Sequence, residues 1–253
     1  MSRYALELAY RGTRYAGWQR QPNALSVEET VDTALSTILG EEIKIVGCGR
    51  TDTGVHASYY VAHFDFGGTI PPAFLARYNR FVAEDVALLG LWRVPDDFHA
   101  RFHASSRSYT YRIRLAKDPF QTETATLLPR SERYDQEKMQ AAAQLLLVYG
   151  AFAPFCKAHS DAFTMECTLT ESRWVFGPEE WTFHISANRF LRGMVRLIVG
   201  TCLQVGEGKM SLETLREVLD RQSALPQPHS APPTGLYLSA VEYPNKAGWD
   251  WQN

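Results

Sequence analysis

Asp52 stands two residues after Arg50 in the stretch 48–57, Cys-Gly-Arg-Thr-Asp-Thr-Gly-Val-His-Ala, a loop bracketed by Gly49 and Gly54. An arginine beside an aspartate favours the ionised carboxylate through opposite charge and hydrogen bonding. Glycines admit the left-handed or strained backbone that a tight loop needs. A carboxylate held this way can attack an electrophilic carbon or remove a proton. The same residues also fit a glycine-bounded turn whose Asp only caps the backbone, so the loop alone leaves its role open.

The flanking patterns place the loop at the rim of a sheet. Residues 43–46 (Ile-Lys-Ile-Val) predict one strand, and residues 60–66 another, with Tyr60, Ala62, Phe64 and Phe66 recurring at period two. Tyr4, Leu6, Leu8 and Tyr10 alternate around Glu7 as a third. Ser26 with Glu29 three residues on is a capping box, and Val27, Val31, Leu35 and Ile38 mark one face of a helix that Gly40 ends. Pro71 and Pro72 open a second helix to about Val82, and residues 86–94 read as a strand. The texture then repeats in outline. A strand begins at Tyr109, Tyr111, Ile113 and Leu115, followed by a helix over 135–148, strands over 168–176 and 181–187, an apolar helix to about Val205, a helix capped by Ser211, and a last strand over 236–243 after a loop with four prolines. The expected class is α+β: two RRM-like or ferredoxin-like halves with antiparallel sheets joined side by side, helices on one face, and an RNA-binding cleft between them. The expected domains are 1–104, with the candidate catalytic loop 48–57, and 105–253.

With 253 residues, 45% hydrophobic and 12% aromatic, the chain can bury two cores of ordinary size. No apolar stretch reaches membrane-spanning length, and the N-terminus runs straight into a strand pattern, so a cytoplasmic protein without a membrane partner is expected. Cys48, Cys156, Cys167 and Cys202 form no CxxC pair and predict reduced thiols rather than disulfides or a zinc knuckle. The net charge of −2 announces no nucleic-acid partner, but its distribution does. Residues 8–27 lack acid and carry Arg11, Arg14 and Arg20 among Tyr10, Tyr15 and Trp18. Residues 98–117 also lack acid and carry Arg101, Arg107, Arg112, Arg114 and Lys117 beside His99, His103, Tyr109 and Tyr111. Arg189, Arg192 and Arg196, spaced i, i+3, i+7, predict one arginine face on an otherwise apolar helix. Guanidinium groups suit phosphates and aromatic rings suit bases, so such segments fit a nucleic-acid groove.

With these pieces in place, nearly the whole chain resembles the TruA family of tRNA pseudouridine synthases. Residues 10–21, Tyr-Arg-Gly-Thr-Arg-Tyr-Ala-Gly-Trp-Gln-Arg-Gln, resemble the family's opening Y-D-G-x-x-Y-x-G-W-Q, and residues 49–57 match its G-R-T-D-x-G-V-H-[AG] loop, with Asp52 at the essential aspartate. Residues 98–102 followed by Tyr109-Thr110-Tyr111 resemble F-[HD]-A-R-F and R-x-Y-x-Y; residues 188–196 and 235–238 resemble N-x-F-x-x-x-M-V-R and G-L-Y-L. Three positions depart from the pattern: Arg11 replaces a usual acid, residues 79–86 lack the usual Leu-Pro, and Ala-Phe-Ala-Pro-Phe over 151–155 replaces D-F-T-S-F.

The resemblance implies isomerisation of uridine to pseudouridine at positions 38 to 40 of the tRNA anticodon stem-loop by a homodimer. Asp52 would be the nucleophile or base. Tyr109 would stack on the uracil, Arg50 and Arg196 would hold Asp52 or a phosphate, and Leu238 would wall the pocket. Arg14, Tyr15, Arg20, Arg101, Arg107, Arg189 and Arg192 would contact the RNA. The reaction has no net redox change and no energy input, so no cofactor or metal is expected. Three rivals remain at this stage. Asp52-Thr53-Gly54 is also the aspartic-protease triplet, but that chemistry needs two carboxylates sharing a proton, and one copy is present. His99 and His103, with Asp96 and Asp97 nearby, could suggest a metal hydrolase but lack the Glu of H-E-x-x-H. A non-catalytic RNA-binding module with Asp52 as a structural cap would use the same basic and aromatic surface.

Overall fold

The alternation around Glu7 builds β1 (Ser2–Tyr10), whose Leu6 and Leu8 are fully buried. The computed structural model describes residues 1–157, 163–244 and 246–252. These fall into two units, Met1–Ser106 with Tyr237–Asn253, and Arg107–Leu236. Where a single cut at 104/105 was expected, the C-terminal stretch from Tyr237 belongs with the N-terminal unit.

In the first unit, α1 (Val27–Leu39) starts where the Ser26 hydroxyl accepts the Glu29 N–H at 3.2 Å and ends at Gly40 with φ 76°. There follow β2 (Val46–Gly47), β3 (His56–Phe66), α2 (Phe74–Phe81) and β4 (Val86–Val94). β1 lies between β4 and β3, antiparallel to both, and β2 pairs antiparallel with β3. The resulting order β4-β1-β3-β2 is that of a ferredoxin-like split βαβ unit. The strand expected over 43–46 shrinks to β2 because α1 takes its donors: the Ile43 N–H goes to Ser36 Oγ at 2.8 Å and the Ile45 N–H to Asp32 Oδ1 at 2.9 Å. In β3 the period-two residues are buried as expected, yet Val61 and His63 between them are buried too, so this strand is covered on both faces.

In the second unit, β5 (Ser106–Arg114), β6 (Thr126–Leu127), α3 (Gln136–Leu145), β7 (Leu169–Phe176) and β8 (Glu180–Ala187) precede α4 (Met194–Gly206) and α5 (Leu212–Arg221). β8 is inserted between β5 and β7, antiparallel to each, so a second strand-helix-strand unit is split by a third strand. α3 packs on α4, α5 and β7 over a core that includes Phe152, Phe155, Phe183, Ile198 and Cys202. The helix expected over 135–148 begins under the Asp135 cap, but its last turn, Leu146–Val148, tightens to a 3₁₀ form.

The expected arginine face does not form. α4 starts only at Met194, behind Gly193 at φ 70°, so Arg189 and Arg192 precede the helix and Arg196 alone is on it. Side-chain bonds fix that approach: Asn188 Oδ1 accepts the N–H groups of Thr168 and Arg189, at 2.9 and 2.8 Å. The helical spacing described a stretch that is turn for its first half.

The last strands, β9 (Leu236–Glu242) and β10 (Asp250–Trp251), extend the first unit's sheet. β10 pairs antiparallel with β4, whereas β9 runs parallel to β3, with Tyr237 beside His56 and Leu238 beside Ala57. That sheet is therefore antiparallel except at this one edge. Among the described residues no helix is long and apolar enough to cross a membrane.

His63 couples this sheet to pH. It is 5% exposed, and its Nδ1 accepts the Ala100 N–H at 3.2 Å. Burial, helped by the charges of Arg3 and His99, pushes its pKa down to about 4 from 6.5. The unfolded chain then binds a proton that the folded one refuses, so stability falls as pH drops from about 6.5 towards 4, by up to roughly 3 kcal/mol. Urea midpoints measured over that range should decline, and the decline should be shallower in His63→Gln.

Candidate active site

The loop between β2 and β3 is fastened at its start to its own strand. The Cys48 N–H donates to the Val61 carbonyl at 2.8 Å and the Tyr60 hydroxyl to the Gly49 carbonyl at 2.5 Å. Arg50 is exposed, Thr51 buried and Asp52 half-buried. The chain then turns through Gly54 at φ 77°, where the Asp52 carbonyl accepts the Val55 N–H at 3.1 Å.

A second segment, following β1, wraps over this loop. The Trp18 N–H donates to the Thr51 carbonyl at 3.2 Å, the Gly54 N–H to the Tyr15 carbonyl at 3.3 Å, and the Gly12 N–H to His56 Nδ1 at 2.9 Å. The approach leaves no space for side chains. A Cβ on Gly12 would lie 1.9 Å from the Val55 carbonyl oxygen, and one on Gly17, at φ 92°, would lie 2.4 Å from that of Thr51. Behind the loop, Trp18 stacks on Tyr60 at 3.9 Å between ring centroids, Tyr10 tilts against both, and its hydroxyl meets Thr51 Oγ1 at 2.9 Å. Beyond the loop, His56 stacks on Tyr237 at 4.7 Å, and buried Leu238 stands in register with Ala57. Thus the fold brings Leu238 beside Ala57 at the end of the Asp52 loop, 181 positions away in the sequence.

Of the residues expected to face RNA, Tyr15 does not. Its ring is 3% exposed, and its hydroxyl donates to Asp85 Oδ1 at 2.6 Å; burial, then that bond, pushes its pKa up to about 12. It belongs to the core because a buried carboxylate claims its only polar atom. Arg14 gives Nε to the other Asp85 oxygen at 2.7 Å but keeps more than half of its side chain in solvent. Arg20 is similarly exposed, with Nη2 3.4 Å from Asp32. Arg101 is exposed and sits 5.5 Å over the Phe102 ring.

Tyr109, Arg107, Arg189, Arg192 and Arg196 are in the second unit. Tyr109, half-buried on β5, meets Phe190 edge-on at 5.1 Å. Arg107 donates to the Asn188 carbonyl at 3.1 Å, which links β5 to the turn holding Arg189. Arg192 is exposed and its carbonyl accepts the Lys157 N–H at 3.0 Å. Arg196 is half-buried on the first turn of α4 and donates Nε to the Ala231 carbonyl at 2.6 Å. His99 and His103 serve the backbone: Nδ1 of His99 accepts the Arg101 and Phe102 N–H groups, and that of His103 accepts the His99 N–H. No group of three or more His, Cys, Asp or Glu suited to holding a metal occurs among the described residues.

The sequence did not single out Asp85, nor foresee that Tyr10, Trp18 and Tyr60 cluster behind the loop. The available signal was Gly12 and Gly17 flanking an aromatic-rich stretch, which marks close backbone approach. Gly40 offers a control for Gly17, because it also has positive φ but an added Cβ there meets nothing within 4 Å. Gly40→Ala should destabilise by about 1 kcal/mol, and Gly17→Ala, which adds a backbone clash, by roughly 3 kcal/mol. Urea unfolding of the two variants checks the order.

A family model described as tRNA pseudouridine synthase matches residues 142–244. A tRNA pseudouridine synthase A of Porphyromonas gingivalis is 43% identical over 250 residues, covering 97% of this chain and 98% of that protein. One from Bacteroides thetaiotaomicron is 43% identical, covering 96% and 91%, and one from Allorhizobium ampelinum is 37% identical, covering 98% of each. With matches that run through the Asp52 loop in the first unit as well as the second, the chain belongs to the tRNA pseudouridine synthase A family.

Proposed function

We propose that the protein converts uridine to pseudouridine at positions 38 to 40 of the tRNA anticodon stem-loop, with Asp52 as the catalytic carboxylate. The observation that carries this reading is the two-sided fixing of the Asp52 loop by β3 and by the segment after β1, which presents a carboxylate from a frame with little freedom. The names of the relatives support tRNA as the substrate.

The reaction breaks the bond from C1′ to uracil N1, turns the base and joins C1′ to C5. N1 gains a proton and C5 loses one, so the overall change is an isomerisation. Asp52 acts either by attacking C1′ or by taking the 2′ proton to leave a glycal. Extruding the target nucleotide costs a few kcal/mol of stacking and pairing. Tyr109 offsets part of this by stacking on the detached uracil, which turns without escaping. Arg50 holds the carboxylate or binds the adjacent phosphate, Arg196 serves the phosphate, and Leu238 closes the apolar side. Arg14, Arg20, Arg101, Arg107, Arg189 and Arg192 contact the RNA backbone, and the working form is a cytoplasmic homodimer.

Asp52→Asn keeps shape and much of the hydrogen bonding. Purified Asp52→Asn should bind tRNA within about threefold of the parent protein while pseudouridine formation falls at least about a thousandfold. Activity persisting in that variant would overturn the assignment, and pseudouridine mapping outside positions 38 to 40 would overturn the target site. Light scattering of the protein with and without tRNA should give a particle of two chains; one chain in both would end the dimer reading.

A further inference from the structure

We infer that Asp85 is a positioning residue for Asp52, acting through residues 11–18 without touching the substrate. This rests on the reading of Asp52 as the catalytic carboxylate.

Asp85 is in the turn that leads from α2 into β4, and its side chain is wholly shielded from solvent. One carboxylate oxygen accepts the Tyr15 hydroxyl at 2.6 Å, the other accepts Arg14 Nε at 2.7 Å, and the main-chain carbonyl accepts the Arg11 N–H at 2.8 Å. Burial alone would raise the carboxyl pKa, but the bonds from Arg14 and Tyr15 hold it below its ordinary value, so the group is ionised at neutral pH. Hydrogen bonds to a charged group are shorter and roughly twice as strong as neutral ones. Two such charged anchors hold residues 14 and 15, and the neutral main-chain bond adds a third at residue 11.

The same short segment grips the Asp52 loop from its other side. The bonds from Gly12 to His56, from Gly54 to Tyr15 and from Trp18 to Thr51 land both before and after Asp52. The place of the carboxylate is therefore defined by a chain of contacts that begins at Asp85 and passes through Tyr15. Displacing a reacting group by about 1 Å can reduce the rate roughly a hundredfold even when the altered residue is remote. Removing only the Tyr15 hydroxyl spares the packing of its ring while breaking the link to Asp85; it also removes a bond to Thr30.

The test measures kcat and KM for tRNA in Tyr15→Phe, Asp85→Asn and the double variant, with thermal melting of each and Asp52→Asn alongside. Tyr15→Phe and Asp85→Asn should remain folded at the assay temperature, keep KM within about threefold, and lose roughly 10-fold and 100-fold in kcat. The double variant should lose no more than Asp85→Asn alone, because both changes break one link. A kcat within about twofold of the parent in the folded single variants overturns the inference, as does a loss carried by KM alone. If Asp85→Asn does not fold, Tyr15→Phe decides by the same criterion. Activity surviving in Asp52→Asn sinks the catalytic reading whatever Asp85 does, whereas an inactive Asp52→Asn beside fully active Asp85 and Tyr15 variants sinks positioning alone.

Discussion

Two stretches of main chain meet at the Asp52 loop with no side chain between them. The contacts of Gly12 with Val55 and of Gly17 with Thr51 are too close for any Cβ, so the segment after β1 can lie on the loop only because those positions are glycine. Everything else around Asp52 presupposes that contact. The Trp18 ring reaches Tyr60 because the chain has turned at Gly17, and Gly12 reaches His56 because it is flush with Val55. A sheet edge alone would not hold such a loop, since its backbone groups have few strand partners.

Side chains buried for their polar atoms do much of the remaining fixing. Asp32 and Ser36 on α1 take the N–H groups of residues 45 and 43, His56 takes that of Gly12, and Asp85 takes Tyr15 and Arg14. Asp32, Ser36 and His56 thereby replace ladder bonds that irregular chain cannot make, as buried backbone donors require, whereas Asp85 ties down two side chains. Burial lifts the Asp32 pKa to about 6, with the Ile45 N–H and then Arg20 pulling the other way. The acidic residues of the first unit are thus partly internal scaffolding, which leaves Arg14 and Arg20 with their outer halves in solvent.

Much of this was legible in the sequence, and the exceptions share a cause. Capping at Ser26 and Ser211 depends on residues three apart and appears as expected. So do β1 and β4, whose patterns are local. The helical spacing of Arg189, Arg192 and Arg196 was local too, but Gly193 in a left-handed conformation and the Asn188 side chain impose a turn that spacing cannot reveal. Tyr15 looked like a stacking surface because its partner, Asp85, is 70 residues away. The Asp52 loop and its glycines stood out by composition; which segment would lie on them did not. The parallel pairing of β9 with β3 likewise joins residues whose patterns are equally compatible with another edge.

That pairing bears on how the protein is made. Because the first unit is completed by residues from Tyr237 onward, with the whole second unit encoded in between, residues 56 and 57 of β3 lack their parallel partners until synthesis has passed the second unit. Closing so large a sequence gap is entropically slow compared with forming local hairpins. Nascent chains that end before β9 therefore leave the start of β3 unpaired beside the Asp52 loop, and that edge of the sheet forms only once the intervening unit has been made.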